Sequence, residues 1–490
     1  MTQIRDRYAP SPTGLQHVGG LRTALFNYLF AKSQNGKFIL RLEDTDRTRF
    51  DESFVRNLYE TFDWLKFSWD EGPNIGGDFA PYIQSQRTEL YKKYAHSLID
   101  SGNAYYCFCT SERLDAVRKE REESHSSASG YDRFCRDIDP DAAKERAKTE
   151  MCTIRLKIPL GSFTKFTDAL LGDVEWKNDD ISPDPVLLKS DGFPTYHLAN
   201  IVDDHLMQIT HVLRAQEWLS STPMHVIMYK AFGWEPPIFC HLPMVMGQDG
   251  KKLSKRHGAT SIDEFRKNGY LPQALINYVA LLGASYKEGQ DIYSLDELAK
   301  YFSLDKLNKA PAVFDYQRLQ WFNGCYIRAM SDAALAEATI PLAIEKALFA
   351  ESPAAPTAEQ KQLYTNAMPL VKERAVFLNE IPEKLVYLFK RPPVADAPSF
   401  IPKKSTQDAA KELLKIAGSM VSEMVKMNDE EAEQLAKDTA EKHAVKLGDL
   451  LMPLRVAITG ERVSPPLFGS LRLLGGAESL ARVEASLAKL

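Results

Sequence analysis

Leu21, Leu25, Tyr28 and Leu29 follow helical spacing and predict a helix that begins near Gly19. A short strand, Ile4 to Ala9, precedes it, and a turn rich in Pro, Ser and Gly joins the two. Gly36 to Glu43 reads as a buried strand. Glu43 lies at or just past its carboxyl end, where open parallel sheets bind their ligands. Phe54, Leu58, Phe62 and Leu65 predict a helix over 51–65. Leu90, Tyr94 and Leu98 predict another over 88–101, with Gly102 as its stop signal. This βαβα opening predicts an α/β fold built on a doubly wound parallel sheet.

From about residue 105 to 190 the alternation breaks. This stretch holds Cys107-Phe-Cys109, a charged helix from Ser111 to Glu123 and a Ser-rich loop from Ser124 to Gly130. Short strand-like runs follow at Thr153–Ile158, Phe163–Thr167 and Gly172–Trp176, and we read the whole as an inserted α+β domain. The sheet pattern is expected to resume near Pro185–Lys189, with a helix over 218–232 and a final strand from Ile238 to Met246. From Ser261 the chain turns helical, with Phe265, Leu271, Leu275, Tyr278 and Leu282 spaced to pack a helix pair. Beyond Ser331 amphipathic helices are expected at 333–348, 359–378, 408–427, 430–443 and 477–490. Joints such as Arg391-Pro-Pro separate them, and Gly475-Gly476 marks a break before the last. The expected divisions are 1–104 and 191–248 for the two halves of the sheet domain, 105–190 for the insertion, and 249–330 and 331–490 for two helical parts.

At 490 residues the chain is too long for one hydrophobic core. A net charge of −5 argues against a uniformly basic nucleic-acid coat but leaves room for a local basic groove. No run is long and apolar enough to span a membrane, and the first residues carry no signal-peptide pattern. Six cysteines form no even disulfide framework, so a reducing cytosol is the expected compartment.

Two segments carry candidate chemistry. Around Arg7 to Arg22, strand, turn and helix place backbone N–H groups and the positive end of a helix beside a sheet edge, which suits phosphate. Gly19 and Gly20 lack a Cβ, so a flat base can lie against the backbone, and His17 can donate to a phosphate oxygen. An ordinary solvated turn has the same composition. The second segment, Gly247-Gln-Asp-Gly-Lys-Lys-Leu-Ser-Lys-Arg-His-Gly258, is a basic loop whose cations repel one another unless an anion sits among them. A triphosphate satisfies both segments.

The pair His17-Val-Gly-Gly20 and Lys252-Leu-Ser-Lys-Arg256 resembles the HIGH and KMSKS signatures of class I aminoacyl-tRNA synthetases. Five further segments are similar to the bacterial glutamyl branch: Ala9-Pro-Ser-Pro-Thr-Gly14, Arg41-Leu-Glu-Asp-Thr-Asp46, Pro194-Thr-Tyr-His-Leu-Ala-Asn200, Val202-Asp-Asp-His205 and Leu213-Arg-Ala-Gln-Glu-Trp218. Gly20 replaces the final His of the first signature, and Leu253 and Arg256 replace the Met and last Ser of the second. The resemblance implies a HIGH-type nucleotidylyltransferase Rossmann domain with an acceptor-binding insertion, then all-α stem-contact and anticodon-binding domains. It implies a cytoplasmic monomer that attaches L-glutamate to tRNA(Glu) through glutamyl-adenylate. ATP with Mg²⁺ is consumed, and AMP and pyrophosphate are released. The alternative is a form that also charges tRNA(Gln). Arg374 lies near where strict relatives place an anticodon-reading Arg. The resemblance also implies that glutamate activation waits for bound tRNA.

By the same resemblance, His17, Lys252 and Lys255 are catalytic, and His17, Gly19, Gly20, Glu217, Met244, Val245 and Lys255 bind ATP. Arg7, Ala9, Ser11, Glu43, Tyr196, Asn200 and Arg214 bind glutamate. The arginines suit the side-chain carboxylate and Glu43 the α-ammonium. The alternative for Arg7 and Arg214 is structural ion pairing with Asp44 or Asp203, and for Tyr196 a place in the core. Cys107, Cys109 and Cys135 offer three thiolates to a Zn²⁺, with Tyr131 or Asp137 as fourth ligand; the alternative is three free thiols. A tRNA-modifying relative would match only the first half, and a small-molecule nucleotidylyltransferase would lack the insertion and helical tail. A non-catalytic tRNA-binding protein would be expected to have lost His17, Lys252 or Lys255.

Overall fold

The computed structural model describes residues 3–123 and 130–490, so most of the Ser-rich loop from Ser124 lies outside the described residues. The chain forms two compact units. One comprises Met1–Phe265 with Leu275–Tyr316, the other Arg266–Ala274 with Gln317–Leu490.

In the first unit, β1 (Arg5–Tyr8) and β2 (Lys37–Leu40) pair in parallel across the helix α1 (Val18–Ser33). α1 buries Leu21, Ala24, Leu25, Phe26 and Leu29, so it is covered on most sides. α2 (Glu52–Leu65) starts at Asp51, whose carboxylate accepts the Ser53 N–H, and buries Leu58, Phe62 and Leu65. α3 (Thr88–Asp100), β3 (Ala104–Cys107), α4 (Ser111–Glu123), α5 (Pro140–Arg146) and β4 (Thr153–Leu156) follow. Then come the hairpin β5 (Phe163–Asp168) and β6 (Gly172–Lys177), β7 (Val186–Leu188), α6 (Tyr196–Leu206), β8 (His211–Ala215), α7 (Thr222–Ala231) and β9 (Ile238–Leu242). β8 and β9 run parallel. Thr210, just before β8, closes onto β1: its N–H donates to the Arg5 carbonyl and its Oγ1 accepts the Arg5 N–H at 2.9 Å.

Four features depart from the sequence-based expectation. β7 is a strand, but it pairs antiparallel with β4 in a separate sheet of order β3-β4-β7, so the parallel pattern resumes only at α6 and β8. A short apolar run carries no mark of its partner. Second, residues 105–190 are not walled off. The β5–β6 hairpin joins β9 through Asp168 and Phe239, and one core runs from Tyr106, Ile154 and Leu187 to Ile39, Leu198 and Val212. Third, the expected strand 238–246 is cut at Pro243, which has no N–H to give a ladder; beyond it β10 (Val245–Met246) pairs with β11 (Ala312–Val313). Fourth, the helix expected from 218 opens as a 3₁₀ segment, Gln216–Ser221, before α7.

Residues 249–330 are shared between the units. Phe265, Tyr278 and Phe314 form ring contacts in the first, while Asn323 in the second accepts the Leu271 N–H. The second unit is helical, with Asp332–Glu345, Ala358–Lys372, Gln407–Ser419, Asp429–Lys442, Leu447–Thr459 and Leu467–Lys489 as its longer elements. Ser331, Thr357, Thr406 and Asn428 cap four of them. Gly475, at φ +77°, breaks the last helix where the Gly pair marks it.

Candidate functional site

The two signature segments meet at one place in the first unit. The Val18 N–H, an orphan donor of the first turn of α1, is taken by the Thr260 carbonyl at 3.0 Å, and His17 and Ser261 bridge. The root of the basic loop is therefore hydrogen-bonded to the start of α1. His17 is the N-cap: its Nδ1 accepts the Gly20 N–H at 3.2 Å, which leaves Nε2 as the donor of the neutral ring. Desolvation and the Lys252 charge hold this imidazole below its usual pKa. A Cβ on Gly19 would lie 3.1 Å from the His17 ring, and one on Gly20 2.9 Å from the Tyr8 hydroxyl. The glycine pair thus clears room for protein groups, whatever it does for a base.

The loop balances part of its own charge. Lys252 pairs with Glu217 at 2.7 Å, Arg256 with Asp249 at 3.5 Å and His257 with Asp249 at 3.0 Å. Lys255, exposed on a 3₁₀ turn, makes no ion pair among the described residues. The expected mutual repulsion is thus relieved by two carboxylates, with Lys255 outside both pairs and its charge felt by Glu264. The Val245 carbonyl already accepts the Leu253 N–H, while the Met244 side chain is exposed. Arg22, buried at the end of the first signature, donates to the Pro243 carbonyl and so fixes the chain just ahead of Met244.

The residues expected to meet the amino acid lie in or beside a buried lattice of charge. Arg7 donates to Asp204 at 2.9 and 3.1 Å and to the Asn200 Oδ1 at 3.2 Å. Arg41 donates to Asp204 at 2.7 Å, to Asn200 at 2.9 Å and to Glu43 at 3.1 Å. Asp203 accepts from Arg87, Gln84 and Tyr91, and Asp44 caps the Ser85 N–H. The carboxylate partner of Arg7 is thus Asp204, rather than Asp44 or Asp203. The Glu43 N–H donates to the Pro10 carbonyl, which ties Glu43 to the loop carrying Ala9 and Ser11. Burial pushes the Glu43 carboxyl up to about 7 against the pull of Arg41 and Arg7.

Arg214 sits in different company. Its Nε donates to His241 Nε2 at 3.1 Å, Nη1 to His225 Nδ1 at 3.2 Å and Nη2 to Thr222 Oγ1 at 2.7 Å, with the Tyr196 hydroxyl 3.5 Å from Nη1. Among the described residues no carboxylate pairs with it. Tyr196 stacks on Trp218 with centroids 4.2 Å apart, at the edge of this group.

Cys107, Cys109 and Cys135 converge, with every Sγ within 4.8 Å of the others. The Tyr131 hydroxyl lies 3.4 Å from the Cys107 Sγ and 3.8 Å from that of Cys109, and Cys109 and Cys135 are 3.6 Å apart. Zinc bonds of about 2.3 Å to sulfur and about 2.0 Å to oxygen give tetrahedral edges of about 3.8 and 3.5 Å. The three separations given above, 3.4, 3.8 and 3.6 Å, lie close to those edges, and the Tyr131 hydroxyl stands beside the sulfurs. The Arg113 guanidinium at 3.5 Å from Cys109 and Arg155 over the Tyr131 ring supply positive charge around the anionic set.

Arg41, Asp204, His225, His241 and Asp168 were missed as site residues. Arg41 and Asp204 lie inside segments that the resemblance quotes, so their position was a usable signal. His241 faces Arg214 only through the β8–β9 register, which the sequence does not print.

Residues 3–321 match the family of tRNA synthetases class I (E and Q), catalytic domain, and residues 334–487 match the anticodon binding domain family. The chain is 54% identical to the glutamate–tRNA ligase of Treponema denticola, covering 99% of each chain. It is 51% identical to that of Borrelia duttonii, covering 96% of this chain and 93% of the relative. A crystal structure of a glutamate tRNA ligase from Elizabethkingia meningosepticum, in complex with its amino acid, superposes with a TM-score of 0.87 at 34% identity, covering all of both chains.

Proposed function

This chain belongs to the glutamate–tRNA ligases of class I, and from that premise we propose how its residues attach glutamate to tRNA. The α-carboxylate of glutamate attacks the α-phosphate of ATP; a new C–O–P bond forms and pyrophosphate leaves. The terminal ribose hydroxyl of tRNA(Glu) then attacks the acyl carbonyl, and AMP leaves. The attacking carboxylate is already ionised, so the first step needs no protein base. It needs donors aimed at the charge that builds on phosphorus, and His17, Lys252 and Lys255 supply them. ATP carries Mg²⁺ as the counter-ion of its triphosphate.

The hydrogen bond from Val18 to Thr260 carries this reading, because it brings two segments far apart in sequence to one place. Gly19 and Gly20, the backbone at Met244 and Val245, and Glu217 form the nucleoside side of the site. Lys252 would exchange Glu217 for phosphate when ATP enters. Arg214 and Arg7 receive the substrate's side-chain carboxylate, with Tyr196 and Asn200 beside them. Glu43, Ser11 and the Ala9 carbonyl receive its ammonium. Cys107, Cys109, Tyr131 and Cys135 would hold a structural Zn²⁺ that orders the insertion and takes no part in the reaction. The insertion and the helical parts grip tRNA, in a monomer that works in the cytoplasm.

Charging purified tRNA(Glu) and tRNA(Gln) in parallel tests the function; glutamate is expected on tRNA(Glu). Pyrophosphate exchange is expected only with tRNA present, and full exchange without it overturns that part. Metal analysis is expected to find one zinc per chain, lost in Cys109→Ser; a metal-free native protein would overturn the zinc assignment.

A further inference from the structure

We infer that Asp168, His241 and His225 are positioning residues that fix the direction of Arg214 and leave its charge open for the substrate's side-chain carboxylate. The inference rests on Arg214 meeting that carboxylate, as proposed above. Four observations carry it.

First, the guanidinium of Arg214 is buried, and its hydrogen-bond acceptors are all neutral. Arg7, in the same lattice, already has Asp204 as counter-ion. An anion entering the pocket therefore meets one neutralised arginine and one that is not.

Second, the acceptors are set by their own partners. Asp168 Oδ2 lies 2.6 Å from His241 Nδ1 and also accepts the His241 backbone N–H at 3.1 Å, while its Oδ1 accepts from Leu170 and Leu171. The carboxylate holds the proton on Nδ1, so Nε2 presents a lone pair to Arg214. The imidazole also separates the Asp168 charge from the guanidinium. Asp168 thus orients Arg214 without neutralising it.

Third, His225 is arranged the same way. Its Nδ1 accepts from Arg214, so its Nε2–H is directed to His197 Nδ1 at 3.0 Å. Burial and the Arg214 charge keep both rings neutral.

Fourth, Asp168 closes the β5–β6 hairpin, and its pairing with Phe239 fixes the hairpin on β9 two residues before His241. A segment expected to serve only tRNA thus reaches the glutamate pocket.

The consequence is specificity by charge. A side-chain carboxylate completes Arg214, whereas the amide of glutamine leaves a buried cation without a counter-ion. The test is Asp168→Asn in the full-length protein, assayed by aminoacylation of tRNA(Glu). An amide at 168 donates to His241 Nδ1, moves the ring proton to Nε2 and turns a donor on Arg214. The KM for glutamate is expected to rise about ten- to hundredfold, the weight of one hydrogen bond to a charged group, with the KM for ATP unchanged. His241→Gln added to that variant puts an amide oxygen back on Arg214 and is expected to recover most of the loss. Unchanged glutamate KM in a folded Asp168→Asn enzyme, or equal rises for glutamate and ATP, overturns the inference. Should Asp168→Asn not fold, His225→Asn against His225→Leu gives the same contrast: Asn keeps an acceptor at the Nδ1 position and Leu does not. Equal glutamate KM in those two also overturns it. Arg214→Met separates the premises. If it leaves the glutamate KM unchanged, the assignment of Arg214 itself fails; if it raises that KM while the Asp168 and His225 variants do not, only the positioning role fails.

Discussion

In the charged lattice around Asp204, at one end of the candidate site, Arg7, Arg41 and Asp204 are buried and fixed by bonds of 2.7 to 3.2 Å. At the other end, in the basic loop, Lys252 and Glu217 also pair at 2.7 Å, yet 63% and 50% of their side chains stay exposed. The same bond length serves opposite purposes. A buried lattice of charges is rigid, since no member can leave without stranding another in low dielectric. An exposed pair is worth about 1 kcal/mol or less, so either partner can change company when a better counter-charge arrives. On the reading proposed above, the fixed lattice would select an amino acid by its charges, and the exchangeable pair would yield to a triphosphate.

Removing a member of the lattice is the strongest way to break this contrast. Asp204→Asn leaves Arg7 and Arg41 short of an anion, and a loss of about 3–5 kcal/mol in unfolding free energy is expected by denaturant titration. At the other end the effect should fall on rate alone. Lys255→Ala is expected to slow adenylation by about 3–4 kcal/mol of barrier, with thermal unfolding unchanged. A matching loss of stability there would erase the distinction between the ends.

Glu43 sharpens the comparison through pH. With its carboxyl pushed up to about 7, it loses its charge as pH falls through 7, and the KM for glutamate is expected to climb by up to about tenfold per pH unit below that point. The linkage runs the other way for folding. A raised carboxyl favours the folded state below its unfolded value, and that favour is lost as pH rises toward 7. Glutamate KM measured from pH 6 to 8, with ATP saturating, checks this; a flat profile overturns it. The smallest effect belongs to Glu217→Gln, expected to shift unfolding by less than about 1 kcal/mol because the pair it breaks is solvated.

Much of this was legible in the chain, and the limit was physical. His17 and Lys255 stand in short motifs that suit an anion only when the two are taken together, and α1, α2 and α3 follow from their apolar periodicity. Arg7, Glu43 and Arg214 were found as charges, but their partners were not, because pairing is set by register and by long-range closure. Thus Asp204 rather than Asp44 meets Arg7, and His241 meets Arg214 across two parallel strands. Val186–Leu188 was legible as a strand and illegible as to which sheet it joins. Pro243, which splits the last expected strand, stands in plain view in the sequence, and its missing N–H is reason enough to end β9 before it. That the Tyr131 hydroxyl stands beside the sulfurs could be seen only once the three cysteines had positions.

The bond between Val18 and Thr260 bears on synthesis as well as on catalysis. A growing polypeptide can wind α1 soon after it leaves the ribosome, but the Val18 N–H, the first donor of that helix, stays with water until Thr260 has been made. The two signature segments can therefore come together only after more than half of the chain has been synthesised.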